Sequence, residues 1–222
     1  MKNQDVVQAK IRVPQQGRSK ASFERMLATA EQLMAERGSD DFTLNEVAKV
    51  GKVSIGSIYC RFDSKDDMVH AVQIRVLHRV DSNMLLGIAG VRERRMSFEA
   101  FVPAIVDRIA EALREFSAEM RPFMLRASND PTVAALGKGS YNRTATAVRD
   151  AFLEHRAAIL HPDPDRAVDA AFRMLYASLA RYLGFGSSIE AAGEGDWTLL
   201  KADLADMILA YLHSASAGQR AA

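Results

Sequence analysis

From Leu44 to Met68 the chain reads LNEVAKVGKVSIGSIYCRFDSKDDM, which sets the hydroxyls of Ser54, Ser57 and Tyr59 beside Gly56, Cys60 and the cations Lys52, Arg61 and Lys65. Hydroxyls and cations donate to an anion, and small residues let a backbone approach a partner closely. With Ser54 as the cap of a short helix, Ile58 and Phe62 fall four residues apart and anchor it inward. Ile55, Gly56, Ser57, Tyr59, Cys60 and Arg61 are left for other faces, a set that suits the phosphates and major groove of DNA. Catalysis fits poorly, because Gly-x-Ser-x-Gly, the P-loop and His-Glu-x-x-His are all absent. No Cys/His group has metal-ligand spacing, so neither a metal nor a cofactor is expected.

The elements that must hold these residues are helices, since apolar residues recur near every 3.6 positions and alternating strand patterns are missing. A first helix is expected over about Lys20 to Arg37, with Phe23, Leu27, Ala30 and Met34 on one face and a stop at Gly38. Thr43 three residues before Glu46 is a capping box that starts a short helix running to about Val50. Gly51 breaks it, Ser54 opens the next helix through Phe62, and Ser64 with Asp67 opens a longer one through Val76. Starts this close together imply short helices crossing steeply, a helix-turn-helix.

From residue 82 the periods lengthen. Phe98, Phe101, Val102, Ile105, Ile109, Leu113 and Phe116 make one stripe, with Pro103 predicting either a kink or a start near Val102. Asp130 and Pro131 restart a helix that runs toward Leu160, with GKGS as a possible interruption, and HPDPD is a clear break. Beyond it Val168, Phe172, Leu175, Tyr176, Leu179 and Leu183 share a face. In the last helix, Asp196 to about His213, Trp197, Leu200, Leu204, Met207 and Tyr211 recur at steps of three and four. These last two stripes either complete the core or supply a subunit seam.

The chain has 222 residues, 48% of them hydrophobic, enough for a core without staples. A single cysteine, Cys60, excludes an internal disulfide framework, and no apolar run is long enough to span a membrane, so a cytoplasmic protein is expected. Net charge is only +1, but residues 1 to 20 carry Lys2, Lys10, Arg12, Arg18 and Lys20 against Asp5. Residues 1 to 15 read as a disordered arm, with phosphate tracking as the sharper alternative.

The stretch AERGSDDFTLNEVAKVGKVSIGSIYCRFDSKDDMVHAV, Ala35 to Val72, resembles the DNA-binding domain of TetR-family transcriptional regulators, most specifically at VSIGSIYCRFDSK. The resemblance implies an all-α fold with an N-terminal helix-turn-helix three-helix domain over residues 1 to 75. A larger C-terminal helical domain, 76 to 222, would bind a ligand and dimerise. It places Thr43, Ser54, Tyr59 and Lys65 on phosphates, and Ile55, Gly56, Ser57 and Cys60 toward base edges. Three departures from the family pattern stand out: Lys52 occupies the turn position usually held by Gly, with Gly51 one place earlier, Ser39 replaces an aromatic whose space Phe42 fills, and Ile55 stands where a base-reading Lys is often found. Either the turn is rearranged, or Lys52 takes a strained backbone and gains a phosphate contact.

The same resemblance implies an effector cavity drawing on Phe101, Ile105, Ile109, Phe123, Met124, Tyr141, Phe152 and Tyr176, whose apolar and aromatic character suggests a hydrophobic or amphipathic small molecule. It implies a homodimer through Phe172, Leu179, Trp197, Leu200, Leu204, Met207 and Tyr211, bound to a palindromic double-stranded DNA operator as a repressor. The alternative reading is an interaction or nucleoid-associated module with this fold and no small effector.

Overall fold

A computed structural model describes residues 17 to 186 and 192 to 215, so the expected arm over residues 1 to 15 lies outside the described residues. Within them the chain forms nine α-helices and no strand. They are α1 Gly17–Arg37, α2 Leu44–Val50, α3 Ile55–Tyr59, α4 Lys65–Glu93, α5 Phe98–Glu115, α6 Ser117–Arg126, α7 Pro131–Leu153, α8 Pro164–Tyr182 and α9 Trp197–Leu212. A turn of 3-10 helix, Arg156–Ala158, separates α7 from α8. Among the described residues no helix is long and apolar enough to cross a membrane.

Two compact units divide this material. The first takes residues up to Arg79 together with Phe116–Ser140; the second takes Val80–Glu115 and Tyr141 onward. In the first, α1 buries Phe23, Met26, Leu27, Ala30 and Met34 and packs against both α6 and α2, while α2 packs against α3. Arg75 and Arg79 of α4 pair with Glu31 of α1, at 3.1 and 2.6 Å. Gln73, almost wholly buried, donates to the Val133 carbonyl of α7 at 2.9 Å.

In the second unit α5, α8 and α9 pack mutually. The α5 stripe is buried as its period requires, and Pro103 sits inside the helix, which begins at Phe98. Phe116 does not extend that helix but precedes α6, so a stripe that looks continuous in sequence belongs to two helices. Helix α7 passes through Gly137 and Gly139 unbroken and stops at Leu153, short of the expected Leu160. Asp163 and Asp196 cap α8 and α9, their carboxylates accepting from Arg166 N at 3.1 Å and Leu199 N at 2.8 Å.

The α2–α3 turn decides between the two sequence readings. Gly51 is right-handed (φ −75°), whereas Lys52 is left-handed (φ +50°). Val53 N donates to Ala48 O at 3.0 Å, so the turn is a Schellman closure with lysine in the position that glycine normally takes. Glycine is needed one residue earlier for a different reason: a Cβ on Gly51 would lie 2.8 Å from both Thr29 Oγ1 and Val47 O. The close approach of α2 to α1 therefore holds the glycine at 51 and leaves the strained backbone to Lys52. We expect Gly51→Ala to lower the urea unfolding free energy by about 1–3 kcal/mol through overpacking. Lys52→Gly should raise it by about 0.5–1 kcal/mol, the relief of left-handed strain less the extra chain entropy.

Candidate nucleic-acid interface

The interface is assembled on α2 and α3 from local caps outward. Thr43 Oγ1 accepts from Glu46 N at 3.2 Å while Glu46 Oε2 accepts from Thr43 N at 2.7 Å, completing the expected capping box. Arg37 Nη2 adds a bond to Glu46 Oε1 at 2.9 Å. Led by that guanidinium and followed by the Thr43 amide, these donors hold the Glu46 carboxyl down at about 2. Ser54 caps α3, its Oγ accepting from Ser57 N at 3.1 Å and lying 2.7 Å from Ser57 Oγ. A helix of five residues has too few internal hydrogen bonds to stand alone. Ile58 and Phe62, both fully buried, hold it, with the Phe62 ring stacked on Phe23 of α1 at 5.7 Å.

That anchoring leaves an outward face. Tyr59 is 57% exposed and Ile55 36%; Lys52, Ser54, Gly56 and Cys60 are exposed too, and Thr43 stands exposed before α2. Ser57 is half-buried. Ser54, Gly56, Ser57 and Cys60 line a groove of about 520 Å³ together with Ser19, Ser22 and Met26 of α1 and Arg61. The two α1 serines escape a sequence reading, because what brings them to α3 is the packing of distant Phe23 on Phe62. Arg61 is turned to α1, its Nη2 donating to Ser19 Oγ at 2.5 Å. Phe42 is buried and carries the Lys65 ammonium 5.0 Å above its ring.

Beside the interface lies an ion-pair network not legible from sequence. Arg126 of α6 pairs with Asp40 of the α1–α2 loop, with Asp66 of α4 at 2.6 Å and with Asp130, the residue before α7, at 2.9 Å. His70 Nε2 lies 2.8 Å from the same Asp130 oxygen. These groups border a cleft of about 560 Å³ that also includes Ser39, Pro122 and Asn129. Burial works to raise the pKa of Asp130, but His70, the Val133 amide and Arg126 outweigh it and bring the carboxyl to about 2.

The remaining expected residues separate. Phe101, Ile105, Ile109 and Phe152 are buried in the second unit, the rings of Phe101 and Phe152 5.2 Å apart. Tyr141 lies 4.9 Å from Tyr176 and 5.5 Å from Phe172, and burial pushes the Tyr176 phenol up to about 12. Phe123, buried, and Met124, half-buried, belong to the first unit. Of the expected seam, Phe172, Leu179, Trp197 and Leu204 are buried within the single chain, where they complete the core. The cause is visible at Trp197, whose indole donates to Glu111 of α5 at 2.8 Å and turns that stripe inward. Leu200 and Tyr211 are half-buried, Met207 is 65% exposed, and Leu199 and Met174 join it outside at 64% and 50%. Among the described residues no group of three or more His, Cys, Asp or Glu could hold a metal ion.

Residues 26–72 match the model of the bacterial regulatory proteins of the tetR family. Solved structures of similar fold include a protein of Mesorhizobium loti described as a tetR-family transcriptional regulator, with TM-score 0.70 and 18% identity over 89% of this chain and 98% of that one. GusR of Salmonella enterica is similar at TM-score 0.60 and 21% identity, over 88% and 97% of the two chains. The fatty acid degradation regulator FadR of Bacillus halodurans gives 0.62 and 16%, over 93% and 99%. No curated protein sequence matches the chain.

Both depressed carboxyls carry a pH consequence. Each folded value lies below the ordinary one, so the stabilisation is whole above the usual carboxylate range and is lost as pH falls through about 2. The urea midpoint should therefore drop between about pH 5 and pH 2, and Asp130→Asn or Glu46→Gln should flatten that drop.

Proposed function

We propose that this chain, whose residues 26–72 match the tetR family of bacterial regulatory proteins, is a member of that family and a cytoplasmic homodimeric repressor released from a palindromic operator by a small hydrophobic or amphipathic effector. The observation that carries the reading is the outward face of α3: a helix rooted by Ile58 and Phe62 that presents Ile55, Gly56, Tyr59 and Cys60 to solvent. Each recognition helix enters one major groove, and the dimer fixes the spacing of half-sites. Ile55, apolar and at the helix start, suits a thymine methyl rather than a guanine edge. Lys52, Ser54, Tyr59 and Lys65 reach phosphates, with Thr43 near the backbone at the start of α2. Ser57 and Cys60 face the bases.

Dimerisation falls to the exposed apolar positions of α8 and α9, Met174, Leu199 and Met207, with Leu200 and Tyr211 at their margin. The effector belongs with the aromatic residues of the second unit, where Tyr141 and Tyr176 offer hydroxyls beside Phe172, and Phe101, Ile105, Ile109 and Phe152 supply apolar surface. Phe123 and Met124 of α6 carry the effect of the ligand in the first unit. A coupling of about 1–3 kcal/mol between effector and operator suffices for release.

The test is selection of binding sites from a random DNA pool at near-physiological salt. Recovery of a palindrome is expected; enrichment of nothing, with affinity that decays steadily as salt rises, would favour a nucleoid-associated module. Tyr59→Phe should weaken binding to all sequences by about threefold to tenfold, the worth of one hydrogen bond, measured by anisotropy. Met207→Arg should give monomer in sedimentation, whereas Leu204→Arg, a charge placed in the core, should unfold the chain.

A further inference from the structure

Lys65 and Arg126 converge on one carboxylate oxygen. Lys65 Nζ stands 3.6 Å from Asp40 Oδ2, and Arg126 Nη1 donates to that same Oδ2. The two cations hold it unequally: the Arg126 side chain is 16% exposed and engages three carboxylates, whereas the Lys65 side chain is 35% exposed and lies 5.0 Å from the Phe42 ring. Asp40 itself sits in the loop between α1 and α2.

We infer that Arg126 is a positioning residue for DNA binding: by occupying Asp40 it keeps that carboxylate from capturing Lys65, and so leaves the Lys65 ammonium available to a phosphate. The inference rests on the reading of Lys65 as a phosphate contact. A guanidinium makes short, directed bonds to a carboxylate, while an ammonium 3.6 Å away gains only a screened point-charge attraction. With Arg126 in place the Asp40 charge is largely neutralised, and transfer of Lys65 to a phosphate costs little. Withdraw Arg126, and Asp40 becomes a full negative charge beside the lysine, both its competitor and a repulsive neighbour to the phosphate. Arg126 lies on α6 and also holds Asp66 in the first turn of α4 and Asp130 before α7. Any displacement of α6 that loosens this grip would thus be read at Lys65 as a loss of positive charge.

The experiment uses the full chain and a fluorescein-labelled duplex of mixed sequence, with affinity read by anisotropy across a salt series. Arg126→Ala should weaken binding about threefold to fivefold per half-site, and reduce the slope of log affinity against log salt by about 0.9 per protomer, the signature of one lost phosphate contact. Asp40→Asn, which removes the competitor at constant shape, should tighten binding, a gain that a folding defect cannot produce. The double variant Arg126→Ala with Asp40→Asn should recover wild-type affinity, and in a Lys65→Ala background Arg126→Ala should change nothing further. A double variant as weak as Arg126→Ala alone, or a slope that does not move, would overturn the inference. If Lys65→Ala weakens binding and Arg126→Ala does not, the inference falls alone. If the wild-type chain shows no salt-dependent affinity, the DNA reading falls and takes it along.

Discussion

A five-residue helix cannot support itself, and the amino-terminal unit is arranged around that constraint. Helix α3 has one fully buried side chain, Ile58, and just past its end Phe62, also fully buried, stacks on Phe23 of α1. Burial of two such side chains contributes about 3–6 kcal/mol in total, more than the hydrogen bonds of one and a half helical turns can supply. Because only one face is used for anchoring, the other is free to carry residues that would be poor choices in a core: a glycine, an exposed tyrosine and a half-exposed isoleucine. One face of this short helix is thus fixed by burial while the opposite face stays open to solvent.

The turn before α3 shows how two demands on one glycine are resolved. Schellman closure asks for glycine at 52, whereas contact with Thr29 and the Val47 carbonyl asks for it at 51. Closeness admits no substitute, since a Cβ there meets backbone, but a left-handed backbone tolerates lysine at a cost of about 1–2 kcal/mol. The lysine so placed is exposed and stands just before α3, so the strained residue lies on the surface next to the outward face of that helix.

The parts legible in sequence are those written locally. The capping box at Thr43 and Glu46, the Ser54 cap, the Ile58 and Phe62 anchors and the Asp130 restart each depend on residues within four positions, and the structure has all of them. What escaped depends on distant chain. The network of Arg126 joins residues 60 and 86 positions away, and nothing in the local pattern of α6 announces it. Helix α9 is open in sequence for a different reason: it is apolar nearly all round, so periodicity alone cannot say which stripe turns inward. Glu111 settles the matter by drawing Trp197 and Lys201 toward α5, at 2.8 and 2.6 Å, and the stripe that includes Leu204 and Ile208 follows them into the core.

The lysine in the turn also changes the electrical character of the end of α2. A helix terminates in carbonyls that carry a partial negative charge, which repels a phosphodiester strand and would ordinarily make this end of the motif a poor place for one. Lys49 lies in the last turn of α2 and Lys52 just past it. Two lysines within four residues of that terminus oppose the negative end of its macrodipole. The surface from the start of α3 back past the preceding turn therefore lacks the negative end that an uncompensated helix would present.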